Sequence, residues 1–280
     1  MASVLITGTS KGIGFETALA FGRARHQVYA TMRKPSQAPL LAETATREKL
    51  PIAVSEMDVD SDQSVSDALG EIFKKGPIDV LVNNAGVEAV GSVEELPLAS
   101  FRGVMETNFF GALRCIQAVV PHMRQRRSGC IINVSSVAGR LSCPPLSPYC
   151  ASKWALEALT EALAGEMKTF NVRVASVEPG IVDTAMARRI EGTSADALYT
   201  QSARFSSLYI GTLKTPVPPS VVAEKILEIV ESGTWQLRHP TGPDALPFLE
   251  WRSRMTDEAW VDMNAGDDAT FFARLVESNG

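Results

Sequence analysis

The sequence predicts an α/β fold: a doubly wound (Rossmann-like) sheet of seven parallel strands flanked by helices, formed as a single domain. Short runs of β-branched residues alternate with longer amphipathic stretches from the N-terminus onward, which indicates repeated strand–helix units. The strand-like runs are apolar with little polar alternation, as expected for strands that helices cover on both faces. No repeat, low-complexity tract or linker divides the 280 residues, so we expect one domain.

Each element is predicted from its own stretch of sequence. The strands are predicted at SVLIT (3–7), HQVYATM (26–32), IAVSEMDV (52–59), DVLVNNA (79–85), CIINVSS (130–136), VRVASVEP (172–179) and WQLRHP (235–240). Amphipathic stretches predict helices over 14–24, 61–75, 100–127, 150–170 and 221–232. Two regions break this rhythm: residues 181–217 and residues 241–280. We expect the second to be a C-terminal extension packed on the domain or on a partner subunit.

Composition and charge argue against several classes of protein. A net charge of −5 and a pI near 5.4 disfavour nucleic-acid binding. No apolar run is long enough for a membrane span, and the N-terminus lacks the pattern of a signal peptide. The cysteines show no paired spacing, so we expect reduced thiols in a cytoplasmic protein. The histidines are scattered without metal-ligand spacing, so we expect no metal site. These residues are Cys115, Cys130, Cys143, Cys150, His26, His122 and His239.

The first strand runs directly into a glycine-rich loop, TGTSKGIG, and then into a helix. Glycines in the first strand–helix turn let backbone N–H groups and the positive end of the helix approach a phosphate. The loop is not a nucleoside triphosphate loop, because no Gly-Lys-Ser/Thr closes it. Such glycines can also form a plain tight turn, but their position favours a dinucleotide site. We assign to it Gly8, Ser10, Lys11, Gly12, Ile13 and Gly14.

The end of the second strand distinguishes between the two nicotinamide dinucleotides. A carboxylate there would bind the adenosine ribose of NAD, but the sequence has Thr31, Met32, Arg33 and Lys34. Arg33 and Lys34, together with Lys11 in the glycine loop, suit a 2′-phosphate. The alternative is that the two cations are only a solvated loop end. We predict NADP(H) as the cofactor.

Tyr149 and Lys153 are four residues apart in SPYCASKW, one helical turn from each other. The pair can be an ordinary helix face, or the lysine can acidify the tyrosine. Bringing the pKa of a tyrosine from about 10 to near 7 requires about 4 kcal/mol of preference for the phenolate. An ammonium ~4–5 Å away contributes roughly 3–4 kcal/mol at an effective dielectric of about 20. We therefore expect Lys153 to make Tyr149 an effective acid and base.

Several motifs in order along residues 3–240 resemble the short-chain dehydrogenase/reductase family. The motifs are TGTSKGIG (7–14), Asp58-Val59, NNAG (83–86), Asn108, NVSS (133–136), Tyr149 with Lys153, and PGIVDT (179–184). The family transfers hydride between NAD(P) and an alcohol or carbonyl on a sheet of seven parallel strands, as a dimer or tetramer. Looser similarities, including VEPG and the long tail, resemble its hydroxysteroid and retinol dehydrogenase branch.

The resemblance implies a role for particular residues. The implied catalytic residues are Asn108, Ser136, Tyr149 and Lys153. Ser136 is preferred to Ser135 because it lies thirteen residues before the tyrosine, as is usual in the family. Asn108 can equally be a core hydrogen-bonding residue. The implied cofactor-binding residues, beyond the glycine loop, Arg33 and Lys34, are Asp58, Val59, Asn84, Ala85, Gly86, Tyr149, Lys153, Pro179, Gly180, Val182 and Thr184.

The substrate is expected to meet Tyr149 beside segments 87–92, 137–146 and 181–217. Their side chains are mainly apolar, which favours an apolar carbonyl or secondary alcohol. They include Val87, Val90, Val137, Leu141, Pro144, Pro145, Met186, Phe205, Leu208 and Tyr209. We assign substrate contacts to Ser136, Leu141, Tyr149 and Met186. The alternatives are an NADP(H)-binding sensor without redox activity and an epimerase or dehydratase of the same fold.

Overall fold

Seven parallel strands form the centre of the protein. The computed structural model describes residues 1–192 and 198–277. The strands are β1 (Ser3–Thr7), β2 (Gln27–Met32), β3 (Ile52–Glu56), β4 (Val80–Asn83), β5 (Gly129–Val134), β6 (Val172–Pro179) and β7 (Arg238–Thr241). They pair in the order β3-β2-β1-β4-β5-β6-β7. The chain changes its direction of strand addition between β1 and β4, and ligands of open α/β sheets bind outside the strand ends at such a point.

Helices cover both faces of the sheet. They are α1 (Gly12–Arg23), α2 (Leu40–Glu48), α3 (Asp62–Phe73), α4 (Leu98–Met105), α5 (Ala112–Arg126), α6 (Ser147–Lys168), α7 (Gln201–Thr212), α8 (Pro219–Ser232), α9 (Ala245–Ser253), α10 (Asp257–Ala265) and α11 (Asp268–Glu277). Alternate residues of a strand point to opposite faces. Val4 and Ile6 of β1 therefore join one core with α1, α2 and α8, whereas Leu5 joins a second core with α3, α5 and α6.

The predicted fold class is confirmed, and the element boundaries differ in informative places. β6 spans the predicted residues 172–179. β3 ends at Glu56, so Asp58 and Val59 lie beyond the sheet, and β7 begins at Arg238 rather than at Trp235. The helix predicted over 100–127 is divided by a wider, π-helical turn at Glu106–Gly111. Turns of this kind are frequent at functional sites.

The C-terminal region forms three helices that pack against the loop after β5. Trp260 and Met263 of α10 and Phe271 of α11 form a small core with Leu141. The Trp260 indole N–H donates to the carbonyl of Ser142 at 2.8 Å. Residues 193–197 of the predicted substrate segment and residues 278–280 lie outside the described residues. None of the helices in the described part of the chain combines the length and apolar character needed to cross a membrane.

Candidate active site

Two glycines let the loop after β1 lie directly against the residues that follow β4. Gly8 has a φ of +70°, and a Cβ there would lie 2.7 Å from the Cα of Ala85. A Cβ on Gly14 would lie 2.3 Å from Nδ2 of Asn84. Any larger residue would push the loop away from the end of β4. The loop then enters α1 at Gly12, which leaves the first backbone N–H groups of the helix available to a ligand.

Hydrogen bonds join the ends of β1 and β4 into one unit. The Thr7 hydroxyl oxygen accepts from the backbone N–H groups of Asn84 and Ala85, both at 3.0 Å. The side-chain amide of Asn84 donates to the carbonyls of Thr7 at 2.9 Å and Gly8 at 3.0 Å. The NNAG segment is therefore attached to the glycine loop at the crevice between these strands.

One end of the crevice carries the cation predicted to select the cofactor. Arg33 is exposed there and lines the cleft, whereas Lys34 does not. Asp60 lies close by and accepts a hydrogen bond from Thr107 at 3.0 Å. Burial raises the pKa of Asp60, and this hydrogen bond and the charge of Arg33 oppose that effect. No carboxylate occupies β2 beside Arg33, because that strand ends in Thr31 and Met32.

Tyr149 and Lys153 lie on α6 and face the cleft together. The helix begins at Ser147, with Pro148 in its first turn, where proline is well tolerated. The Lys153 ammonium lies 5.6 Å from the centroid of the Tyr149 ring and donates to the carbonyl of Val134 at 2.8 Å. Since β5 ends at Val134, this hydrogen bond ties α6 to the strand that precedes Ser136.

Burial dominates the acid–base properties of this pair. It raises the pKa of Tyr149 well above the ordinary value, although hydrogen bonding with Ser136 acts in the opposite direction. Burial also lowers the pKa of Lys153 to about 8, and the charge of Glu157 opposes that effect. In the protein alone, burial therefore opposes the acidification of Tyr149 that the sequence leads us to expect. The expectation counted the attraction between the two groups and left out the desolvation of each.

Asn108 connects the NNAG segment to α6. Its side-chain carbonyl accepts from the Val87 N–H at 2.8 Å, and its amide donates to the Val87 carbonyl at 2.9 Å. The amide also donates to the Ser152 hydroxyl at 2.9 Å, and that hydroxyl donates to the carbonyl of Tyr149 at 2.7 Å. Asn108 thus makes hydrogen bonds of the core type that the sequence allowed, and it does not itself line the cleft. Its catalytic role stays a prediction.

The predicted cofactor residues, apart from Gly14 and Lys34, line a single cleft of about 380 Å³. They are Gly8, Ser10, Lys11, Gly12, Ile13, Arg33, Asp58, Val59, Asn84, Ala85, Gly86, Tyr149, Lys153, Pro179, Gly180, Val182 and Thr184, and Ser136 and Met186 join them. Sequence reasoning did not single out Met32, Asp60, Glu88, Thr107 or Arg189, which also line it. The signal that could have revealed Glu88 is its position directly after NNAG and Val87. Only the apolar residues of that segment are named above as substrate contacts.

A second, apolar pocket adjoins the cleft and shares Ser136, Gly180, Ile181 and Tyr209 with it. Its walls come from the loop after β5, from α7 and from the C-terminal helices. They include Leu141, Phe205, Leu208, Phe248, Trp251, Trp260 and Phe271. Ser136 therefore lies where a glycine-lined cleft meets an aromatic pocket.

Among the described residues, no group of three or more histidine, cysteine or acidic side chains is arranged to hold a metal ion.

Comparison with known proteins agrees with this architecture. Residues 2–195 match the family described as short chain dehydrogenase. The chain belongs to that family.

Relatives place the chain more closely within the family. It is 39% identical over 266 residues to retinol dehydrogenase 8 of Bos taurus, covering 88% of this chain and 83% of the relative. It is 36% identical over 296 residues to estradiol 17-beta-dehydrogenase 1 of Rattus norvegicus, covering 97% of this chain and 86% of the relative. The predicted likeness to the hydroxysteroid and retinol dehydrogenase branch is confirmed.

A solved structure of actinorhodin polyketide ketoreductase with NADPH superposes with a TM-score of 0.76 at 28% identity. The superposition covers 85% of this chain and 95% of that one. The chain is therefore similar in fold to a reductase that was crystallised with a nicotinamide cofactor.

Proposed function

We propose that the protein is an NADP(H)-dependent oxidoreductase that interconverts an apolar carbonyl and its secondary alcohol. The observation that supports this most directly is the position of Ser136, which lines both the glycine-lined cleft and the aromatic pocket. A substrate in the pocket would present its polar end to Ser136 and Tyr149.

The residues of the cleft fit a phosphorylated dinucleotide. The glycine loop and the start of α1 would hold the diphosphate, and Arg33 would pair with the 2′-phosphate. Asp58 and Val59 would contact the adenine end, and the segment from Pro179 to Thr184 the nicotinamide end. When bound, NADPH supplies the hydride that the substrate carbon accepts. The NADPH-containing ketoreductase of similar fold supports this choice of cofactor.

Tyr149 and Ser136 would activate the carbonyl oxygen. The raised pKa of Tyr149 keeps its phenol protonated, so it can donate the proton that the reduced oxygen requires. The Ser136 hydroxyl accepts from Ala138 N–H at 3.1 Å and lies 3.4 Å from the Pro179 carbonyl. Because the latter contact is long for an O–H donor, the hydroxyl can turn toward a substrate oxygen instead. Lys153 would hold positive charge near the phenol as the proton leaves.

The pocket indicates the substrate class. Its aromatic and aliphatic walls suit an extended apolar molecule with one reacting oxygen. The relatives named for retinol and estradiol support a retinoid-like or steroid-like compound, since they share more than a third of their residues with this chain.

The test is a panel of apolar and polar carbonyls and alcohols, with absorbance of NADP(H) as the readout. Turnover of apolar substrates is expected, together with its loss in Tyr149→Phe while NADPH affinity is kept. Tyr29→Phe, in the strand core, serves as the matched control. Substantial turnover in Tyr149→Phe would reject the role of the phenol. Tight NADPH binding without turnover of any carbonyl would instead favour a sensor.

We also propose that the protein is a cytoplasmic homodimer or homotetramer. All four cysteines are free, which suits a reducing compartment. Phe110 in the π-helical turn and Trp154 in α6 are 43% and 48% exposed, and exposed aromatic side chains of this size suit an interface. Light scattering of wild type and Trp154→Glu tests the assembly, because an interface charge should shift it toward monomer.

A further inference from the structure

Glu88 is a carboxyl group in the catalytic cleft that the mechanism above does not use. It lies directly after Val87, whose backbone N–H and carbonyl are both held by the Asn108 side chain at 2.8 and 2.9 Å. Two hydrogen bonds to one residue fix the path of the chain just before Glu88. The carboxyl is therefore attached to a positioned segment that lines the same cleft as Tyr149 and Ser136.

One carboxyl oxygen of Glu88 has no hydrogen-bond partner among the residues that the structure describes. This oxygen is Oε1, and it is buried. The charge of Arg189 acts on the Glu88 carboxyl and lowers its pKa, against the larger effect of burial. Burial raises the pKa of Glu88 to about 7. A hydrogen-bond acceptor that is buried without a donor destabilises the protein. Its presence in a cleft therefore points to a ligand that donates a hydrogen bond to it.

The charge of Glu88 acts on two tyrosines that line the same cleft. It raises the pKa of both Tyr149 and Tyr209. Tyr209 of α7 lines the cleft and the aromatic pocket alike. Glu88, Tyr149 and Tyr209 therefore line one cleft, in which a substrate beside Tyr149 would also lie.

The adjoining aromatic pocket is mainly apolar, and none of its described lining residues is acidic, although Gln201, Arg204 and Asn264 line part of it. Sites of this type use a few polar groups to orient a ligand, and apolar contacts to bind the rest of it. The ionised carboxylate of Glu88 only accepts hydrogen bonds, so its complement on the substrate is a hydroxyl or amino group.

We propose that Glu88 determines substrate specificity by accepting a hydrogen bond from a second polar group on the substrate. The favoured substrate is thus an apolar carbonyl or alcohol that bears a further hydroxyl or amino donor away from the reacting carbon. This inference rests on the proposed function and narrows it. A site that hydrogen-bonds a substrate group disfavours an analogue without that group, because its own buried acceptor is then left unpaired.

Acetylnaphthalene carrying a ring hydroxyl at successive positions provides the test, with the corresponding methoxy compounds as controls. Methylation keeps the oxygen and removes the donor. Wild type is expected to prefer at least one hydroxy isomer over its methoxy counterpart by about 10- to 100-fold in kcat/KM, the usual effect of a hydrogen bond to a charged group. Glu88→Leu should remove this preference, and Glu88→Gln should keep part of it because an amide oxygen still accepts. Glu166→Gln, a surface change on α6, should leave it intact.

Binding of the same compounds to the Tyr149→Phe protein loaded with NADPH separates the two proposals. Turnover without any hydroxyl preference, or a preference that survives Glu88→Leu, would overturn the role of Glu88 and leave the oxidoreductase intact. A Glu88-dependent binding preference without turnover in wild type would support the role of Glu88 and reject the proposed reaction. The absence of both binding preference and turnover would reject both.

Discussion

The burial of Lys153 predicts that its ammonium lowers the stability of the fold at neutral pH, although the same group supports activity. Its pKa falls from an ordinary value of 10.5 to about 8 because the ammonium is desolvated. A basic group whose pKa is lowered by folding destabilises the folded protein. The whole effect is present below the folded pKa, and it is lost as the pH rises toward the unfolded pKa. Lys153→Met should remove this penalty and abolish carbonyl turnover.

The magnitude follows from the two pKa values. At about 1.4 kcal/mol for each pKa unit, the charged lysine costs about 3 kcal/mol near pH 7 and about 1 kcal/mol near pH 9.5. Lys153→Met also leaves the Val134 carbonyl without its donor, a loss of about 1–3 kcal/mol that is similar at both pH values. The quantity to measure is therefore the free energy of unfolding of the mutant minus that of wild type. This difference should fall by about 2 kcal/mol between pH 7 and pH 9.5.

Urea unfolding of wild type and Lys153→Met at the two pH values measures this change. Lys168→Met, which removes an exposed ammonium from the same helix, is the control. A mutant-minus-wild-type difference that stays constant with pH would refute the claim that Lys153 is strongly desolvated. A difference that falls as the pH rises would indicate that the protein keeps the destabilising Lys153 ammonium beside Tyr149. Groups with perturbed pKa values are common at functional sites.

Two further substitutions test the cofactor cleft. Gly14→Ala places a Cβ 2.3 Å from Asn84 and should destabilise the protein by about 1–3 kcal/mol and weaken NADPH binding. Gly165→Ala, whose Cβ meets nothing within 4 Å, should be neutral or stabilising, and equal thermal unfolding of the two would contradict the steric argument. Arg33→Asp should weaken NADPH binding by about 10- to 100-fold and NADH binding much less. Titrations that show the same loss for Lys34→Asp, outside the cleft, would count against a specific role of Arg33.

The sheet could be predicted well because its central strands are buried on both faces and have continuous apolar sequences. β6 was predicted to the residue for this reason. α2 was missed because LLAETATRE buries only Leu41, Thr44 and Ala45, too few for a clear period. The C-terminal helices were missed because their aromatic residues pack around Leu141, a contact distant in sequence. Such tertiary contacts leave only a weak trace in a local pattern.

The candidate site was predictable wherever a backbone motif defines it. The glycine loop, NNAG and the Tyr149–Lys153 pair come together at the edge of the sheet, as their positions after parallel strands imply. The pKa of Tyr149 could not be predicted, since it depends on desolvation that no spacing reveals. Glu88 was overlooked because an isolated glutamate is usually solvated, and only its unpaired, buried oxygen distinguishes it.

The cleft and the aromatic pocket draw on different parts of the chain. The cleft is built mostly from segments between β1 and the loop after β6, whereas part of the pocket wall, including Phe248, Trp251 and Trp260, follows β7. Substitutions late in the gene can thus reshape which molecules fit against Ser136 without touching Gly8 or Lys153. Proteins that share one fold for hydride transfer can in this way come to accept different substrates while they keep the same cofactor.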